Sequence, residues 1–366
     1  MEDATPDVSE RPRKRATWKT WLSAAVGLII VLGVFLYAIP KFADYGDVWN
    51  ALQTLTPIEF WSLFAAMLFN LYTYWLANQA ALPGLRIAKS AVVTQTTTTV
   101  ANTLPAGGAI AIGLTYSILN SWGFSATAVA LYVGVTGIWN IFAKLALPVV
   151  ALALLVFTGR FDPGLVAAAF VGVAVLIVAV ALLAALFRSE HLARRVGDGI
   201  GAVISKVLGW FHRPPRTGMG DAAVRFRSDT IGLVERRWIR LTWTTILSQL
   251  ALCFVLILSL RHMGVAEQEL PTVEIFAVFS FSRLLSAIPL TPGGVGVIDL
   301  GYIAGLTAID QGEHAQIVAG VLLFRALTFA IQIPIGIFTY WIWRAKGSWR
   351  REVVEQPPAE PAPAKW

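Results

Sequence analysis

The sequence is poor in charged residues and nearly free of cysteine. Charged side chains make up 14% of its 366 residues, whereas soluble domains carry about 25%. The lone Cys253 excludes an intrachain disulfide. None of the four histidines has a partner at a spacing typical of a metal site. We therefore expect no disulfide, no metal site and no cofactor.

Motifs for chemistry are missing as well. The sequence contains no Ser-His-Asp pattern, no phosphate-binding loop and no pair of loop carboxylates. The net charge is +7, but no basic-aromatic motif typical of nucleic-acid binding accompanies it. We therefore expect that the protein has no nucleic-acid partner. We also expect it to be transporter-like and not an enzyme.

Apolar residues dominate instead, at 56% of the chain with a mean hydropathy of +0.65. Apolar runs long enough to cross a hydrocarbon layer of about 30 Å recur along the sequence. They predict an all-α, polytopic membrane protein with about six full spans and two interrupted, re-entrant hairpins. The predicted spans are 21–39, 58–80, 126–158, 164–187, 241–260 and 315–343, and the predicted hairpins are 91–118 and 272–309.

Basic residues place both termini and the loop 188–240 on the cytoplasmic side of the cell membrane. Within that loop, apolar positions with helical spacing between 192 and 211 predict an amphipathic helix on the cytoplasmic leaflet. The predicted parts are polar, disordered tails at 1–17 and 346–366 and two membrane halves at 18–159 and 160–345, the second of which includes the basic loop.

A ten-residue pattern recurs in the two halves. Gly107–Tyr116 aligns without a gap on Gly293–Tyr302, with half of the positions identical. Helix-breaking residues at matching places in two hydrophobic halves are typical of transporters whose binding site lies between the halves. The predicted helix breaks involve Pro105, Gly107, Gly108, Pro289, Pro292, Gly293, Gly294 and Gly296. A kink made only for tight helix packing is the alternative.

The positive-inside pattern also orients the two hairpins. It makes 91–118 begin and end inside and 272–309 begin and end outside. The halves are then inverted-topology repeats whose hairpins meet near the midplane. The longer segment 272–309 is also compatible with two full crossings.

Four ionisable residues fall inside apolar runs: Lys144, Arg283, Asp299 and Arg325. Each costs about 2.5–3.5 kcal/mol at a helix centre, so each needs a partner or a polar cavity. Two interpretations of these residues are equally good. In one, Asp299 forms an internal ion pair with Arg283 or Arg325; in the other, the residues bind an anion. For Lys144, snorkelling to an interface is the simple alternative. The candidate headgroup contacts are Arg283, Asp299, Arg325, Asn102, Tyr116 and Tyr302.

The polar run Thr94–Asn102 is unusual for a membrane helix. It is compatible with a hydrated path for a headgroup. Threonine hydroxyls that bond back to their own helix explain it equally well.

The run Pro289–Asp299 resembles the signature of the lysylphosphatidylglycerol synthase transmembrane, or flippase-like, family. Asn102–Gly108 is similar to the first motif of that family, and Arg325 matches an arginine usual in its last helix. The similarity covers about residues 20–345. It implies movement of a lipid or lipid-linked headgroup, anionic or polyprenyl-phosphate in type, between leaflets.

Two departures from the family pattern qualify the resemblance. Asp299 stands where the family usually has Glu, and Thr115–Ser117 occupy a stretch where an arginine is common. The sequence also has no soluble aminoacyl-transferase domain, so a separate synthase or transferase is an expected partner. A homo-oligomer is a further expectation. The alternatives are a membrane-embedded, lipid-linked transferase or its non-catalytic membrane subunit, and a scaffold that recruits a partner through the basic loop.

Overall fold

The computed structural model describes residues 45–104, 106–158, 163–209, 218–286, 291–309 and 314–346. Within these ranges the chain is all-α, as predicted, and has no β-strand. The predicted tails and the predicted span 21–39 lie outside the described residues. The helices are α1 Tyr45–Gln53, α2 Pro57–Ala81, α3 Ile87–Thr103, α4 Gly107–Ser121, α5 Ala126–Phe157, α6 Pro163–Arg188, α7 Glu190–Gly209, α8 Met219–His262, α9 Thr272–Leu285, α10 Val297–Thr307, α11 His314–Arg325 and α12 Gln332–Ala345.

Among the described residues, three helical rods are long and apolar enough to cross a membrane: α5, α8 and the combined α11–α12. A fourth is obtained if α6 and α7, which meet at an angle of 105°, count as one broken span. Helix α2 has 25 residues but carries polar side chains such as Asn70 and Thr73 along its length, and it is not among these rods. The membrane class is therefore supported, whereas the six predicted spans remain a prediction.

Helix α8 begins earlier than the sequence suggested. It runs unbroken for 44 residues from Met219, or about 66 Å at the usual helical rise. The sequence predicts 219–240 as part of the cytoplasmic loop without a helix, whereas the structure continues the helix of the predicted span 241–260 back through it, since no proline interrupts 219–240. Helix α8 therefore extends well beyond the thickness of a hydrocarbon layer.

Helix α7 is the amphipathic helix expected in the basic loop, and it packs along this extension of α8. Asp198 Oδ1 accepts a hydrogen bond from Gly220 N at 3.0 Å, and Arg194 pairs with Asp221 at 2.5 Å. Val196 and Ile200 remain exposed. They leave an apolar face suited to the predicted place on the leaflet.

Two large apolar cores lie at opposite ends of α2 and α8. Core 1 contains Leu63 of α2 and Leu256 of α8, together with residues of α9, α10 and α11. Core 2 contains Ala80 of α2 and Leu241 of α8, together with residues of α3, α4 and the start of α5. The hairpin α3–α4 thus has its base in core 2, and the hairpin α9–α10 has its base in core 1.

Both hairpins are interrupted where the sequence predicted a break. Between α3 and α4, Ala106 has a φ of 55°, and a side chain on Gly107 would collide with the Val100 carbonyl oxygen. Between α9 and α10, a short 3-10 turn covers Pro292–Gly294. Pro105 and Pro289 lie outside the described residues. That the hairpins are re-entrant stays a prediction.

The polar run of α3 mostly serves helix packing. Thr99 Oγ1 donates to the Gln332 carbonyl oxygen at 2.9 Å, and Thr96 and Thr339 share a hydrogen bond of 3.0 Å. Thr97, on another face, bonds back to the Val93 carbonyl oxygen. One face of the run therefore ties α3 to α12, and another satisfies itself within α3.

Replacement of Gly336 tests this contact between α3 and α12. A Cβ at Gly336 would collide with Thr99 Oγ1 and the Gln95 carbonyl oxygen. We expect Gly336→Ala to lower the free energy of unfolding by about 1–3 kcal/mol, as overpacking usually does. Thermal unfolding in detergent measures it. Gly137→Ala in α5, where a Cβ meets nothing within 4 Å, is the control, and equal melting of both variants would contradict the contact.

Candidate functional site

The second break is organised around the carboxylate of Asp299. Asp299 lies in the first turn of α10, is 2% exposed, and accepts a hydrogen bond from Gly296 N to Oδ2 at 2.7 Å. A carboxylate there is stabilised by the positive end of the helix dipole. Gly293, Gly294 and Gly296 have φ values of 61°, 69° and 85°, a region that side chains disfavour. The glycines therefore let the chain turn sharply into Asp299.

Arg325 supplies the opposite charge. Its Nε lies 2.5 Å from Asp299 Oδ1, and Nη2 donates to the Gly293 carbonyl oxygen at 3.4 Å. The guanidinium carbon also lies 4.8 Å from the centroid of the Phe329 ring, a favourable cation–π distance. Arg325 thus holds both Asp299, in the first turn of α10, and the break before it.

A π-turn, Ala326–Ala330, follows Arg325 directly and joins α11 to α12. Such turns insert an extra residue into a helix and are common at functional sites. No signal in the sequence indicated it, since the residues around it have ordinary helical spacing. The turn also carries Phe329, whose ring lies against the break.

The first motif reaches the second through Asn102. A Cβ built on Gly293 would lie 3.3 Å from Asn102 Cγ and would collide with Phe329. Only glycine therefore fits between Asn102 of α3 and the ring of Phe329. The end of α3 and the second break are in contact, as the sequence predicted for two hairpins that meet.

Arg283, the other arginine considered for Asp299, bonds elsewhere. Its Nε donates to Gln249 Oε1 at 3.1 Å, and Nη2 donates to the Tyr74 hydroxyl at 3.5 Å. Gln249 Nε2 in turn donates to Asn140 Oδ1 at 3.3 Å. Sequence reasoning missed these three polar partners, although each is a polar residue inside a largely apolar helix.

The two repeat-related tyrosines lie in separate cores. Tyr302 is buried in core 1, with its ring centroid 6.4 Å from that of Phe279 and 5.5 Å from that of Phe324. Tyr116 is half-buried against core 2. The structure therefore does not bring them together, and their part in lining a cavity stays a prediction.

A serine, a histidine and a glutamate meet far from these breaks. Ser62 Oγ lies 2.8 Å from His262 Nε2, and Glu59 Oε1 lies 3.8 Å from His262 Nδ1. The Ser62 hydroxyl also donates to the Glu59 carbonyl oxygen at 2.8 Å, and Thr56 bonds to the Glu59 carboxylate. The sequence did not reveal this row, since Ser62 and His262 are far apart along the chain.

Within the described residues, no cluster of three histidine, cysteine or acidic side chains is placed to hold a metal ion. The arrangement around Asp299 is instead a buried, internally neutral ion pair that fixes a helix break. Removal of one partner from such a pair typically costs about 3–5 kcal/mol, because the other charge stays buried.

A double-mutant cycle measures this coupling. We expect Asp299→Leu and Arg325→Met each to lower the free energy of unfolding by about 3–5 kcal/mol. The double variant should lose much less than the sum of the two. The exposed pair Arg194–Asp221, whose side chains are 53% and 54% exposed, is the control, and Arg194→Ala should cost about 0–1 kcal/mol. Additive losses at Asp299 and Arg325 would show that the two charges do not stabilise each other.

Comparison with known proteins agrees with these features. No curated protein is matched by this chain. The sequence profile of the family described as "Lysylphosphatidylglycerol synthase TM region" matches residues 24–336, which is most of the chain. The matched range includes both breaks, Asp299 and Arg325. The chain therefore belongs to the lysylphosphatidylglycerol synthase transmembrane family.

Proposed function

We propose that the chain is a flippase-like protein that moves a lipid or lipid-linked headgroup between the leaflets of the cytoplasmic membrane. The observation that carries the proposal is the contact of the two helix breaks, where Asn102 meets Gly293 beside the Asp299–Arg325 pair. Irregular backbone at membrane depth is tolerated where protein or a water-filled cavity satisfies its polar groups. The family description, which names a lipid-synthase membrane region, supports a lipid as the cargo.

The glycine-rich break is suited to movement. It has few side chains to repack, and its charge contact to Arg325 comes from a different helix. We expect α10 and α11 to move together in a rigid-body shift of one hairpin against the other, because separation of Asp299 from Arg325 would expose isolated charges. In transporters built from repeats, such a shift opens a midplane site to alternate sides of the membrane.

An inverted arrangement of the two halves is part of the proposal. The bases of the two hairpins at opposite ends of α2 and α8 support it. The excess of basic residues in the loops predicted to be cytoplasmic supports it as well. Two hairpins that enter from opposite faces give a headgroup one polar route that both leaflets can reach.

Cysteine labelling tests the orientation. Arg86→Cys lies at the base of the first hairpin and Gln268→Cys just before the second, and both positions are exposed. In sealed vesicles, a membrane-impermeant maleimide should label Gln268→Cys only from outside and Arg86→Cys only from inside. The wild-type chain, whose Cys253 is buried, is the unlabelled control. Labelling of both positions from one face would refute the inverted arrangement.

Leaflet-resolved lipid labelling tests the activity. In vesicles that contain the purified protein, we expect Asp299→Asn and Arg325→Gln to lower the initial rate of lipid exchange by about tenfold or more, a loss of about 1.4 kcal/mol per tenfold. Size-exclusion profiles confirm that each variant is folded at the assay temperature. Exchange at the wild-type rate in both variants would remove the pair from the mechanism.

The second candidate function is a membrane-embedded transferase that uses a lipid-linked substrate, and the Ser62–His262–Glu59 row favours it. In such a reaction, the Ser62 hydroxyl would turn from the Glu59 carbonyl oxygen to His262 Nε2. Ser62 Oγ would attack an ester carbonyl while its proton passes to Nε2, and the departing alcohol would take that proton. The lipid assay separates the two functions with Ser62→Ala. A transporter should keep its exchange rate in this variant, whereas a transferase should lose a covalent lipid product that mass spectrometry detects in the wild type.

A further inference from the structure

A second pair of ionisable residues lies inside the membrane-spanning region, and both members are positive. Lys144 is near the middle of α5, half-buried, and Arg283 is in the last turn of α9. Helices α5 and α9 pack against each other. Arg283 bonds to Gln249, Gln249 bonds to Asn140, and Lys144 lies one turn after Asn140 on the same face of α5. Two like charges on packed helices in an apolar surrounding destabilise the fold unless something negative joins them.

The protein does not supply that negative charge among its described residues. The hydrogen-bond partners of Arg283 are the neutral side chains of Gln249 and Tyr74. No ion pair joins Lys144 or Arg283 to a carboxylate in the described ranges. Asp299 is paired with Arg325, and the buried Glu274 lies nine residues before Arg283 on α9. Lys144 and Arg283 are therefore two positive charges without an ion-pair partner among the described residues.

The side chains of Lys144, Arg283 and Asn140 keep donors that no described group accepts from. Lys144 has an ammonium with N–H donors only, and Arg283 has guanidinium donors beyond the two that bond to Gln249 and Tyr74. Asn140 accepts through Oδ1 from Gln249, which leaves its amide nitrogen as a third donor. A site with donors and two positive charges is complementary to an anion whose oxygens only accept, and phosphate has that chemistry.

We propose that Lys144, Arg283 and the amide of Asn140 bind a phosphate group, in the form of a lipid headgroup phosphate or of free phosphate. As a lipid site it rests on the proposed function, since it lies at the depth where a headgroup would pass. It differs from the Asp299–Arg325 pair, which is already neutral. The same charges that weaken the empty protein give the phosphate its binding energy.

Two measurements on the purified full chain test the site. The first is binding of a short-chain phosphatidylglycerol, compared with inorganic phosphate, to the detergent-solubilised protein. We expect Lys144→Met and Arg283→Met each to raise the dissociation constant tenfold or more. Lys206→Met, a cation on the amphipathic helix α7, should leave it unchanged, and Lys144→Arg should retain most of the affinity.

The second measurement is the melting temperature without ligand. Because Lys144→Met removes a repulsion, it should raise the melting temperature while it weakens binding. A structural lysine would give the opposite sign. A lower melting temperature together with unchanged affinity in Lys144→Met would overturn the proposal.

Comparison of the two ligands, the lipid and inorganic phosphate, identifies the source of the phosphate. Binding of the lipid that inorganic phosphate does not displace assigns the site to a headgroup, whereas binding of inorganic phosphate alone assigns it to the free ion. Binding of neither, or binding that survives both substitutions, refutes the site. If the wild type does not move lipid but the variants lose lipid binding, the site stands and the flippase function is refuted. If the wild type moves lipid and neither substitution changes its rate, the flippase function stands and this site is refuted.

Discussion

The second helix break depends on the ion pair between Asp299 and Arg325. The break places three glycines in left-handed conformations and leaves backbone groups without helical partners. Asp299 binds the amide of Gly296, and Arg325 binds the carbonyl of Gly293. Each charge would be costly alone in an apolar surrounding. Because they meet at 2.5 Å, the pair is neutral as a unit, and its remaining hydrogen bonds fix the backbone on both sides of the turn.

This constraint reaches the rest of the fold through packing. The π-turn after Arg325 sets Phe329 against Gly293, and Asn102 fills the other side. Asn102 belongs to α3, which is tied to α12 by the hydrogen bond of Thr99 to Gln332 and by close contact at Gly336. One continuous set of contacts thus joins the two breaks, α3 and the α11–α12 rod. A change at the ion pair therefore affects both hairpins.

Much of this arrangement followed from the sequence, because helix breakers and buried charges have strong local consequences. The positions of both breaks were predicted, and an arginine partner for Asp299 was one of two equal interpretations. The choice between Arg283 and Arg325 was not predicted, since both lie in apolar runs and only packing decides which faces α10. The π-turn, the long α8 and the meeting of Ser62 with His262 were missed. They depend on helix continuation and on contacts between distant segments, which residue spacing does not encode.

The pair Asp299–Arg325 and the pair Lys144–Arg283 differ in how much charge they leave unbalanced. That difference suits the two pairs to different tasks. Asp299 and Arg325 cancel each other, and the shorter Asp299 still reaches Arg325, although the family pattern usually has Glu there. A pair whose charges cancel gains little from a further charged ligand, so it is suited to hold a hinge. Lys144 and Arg283 leave positive charge unbalanced and retain free donors. A binding site must offer groups that its own protein has not already satisfied, since only those gain free energy when the cargo arrives. By that criterion Lys144 and Arg283, rather than Asp299 and Arg325, are suited to bind the phosphate proposed above.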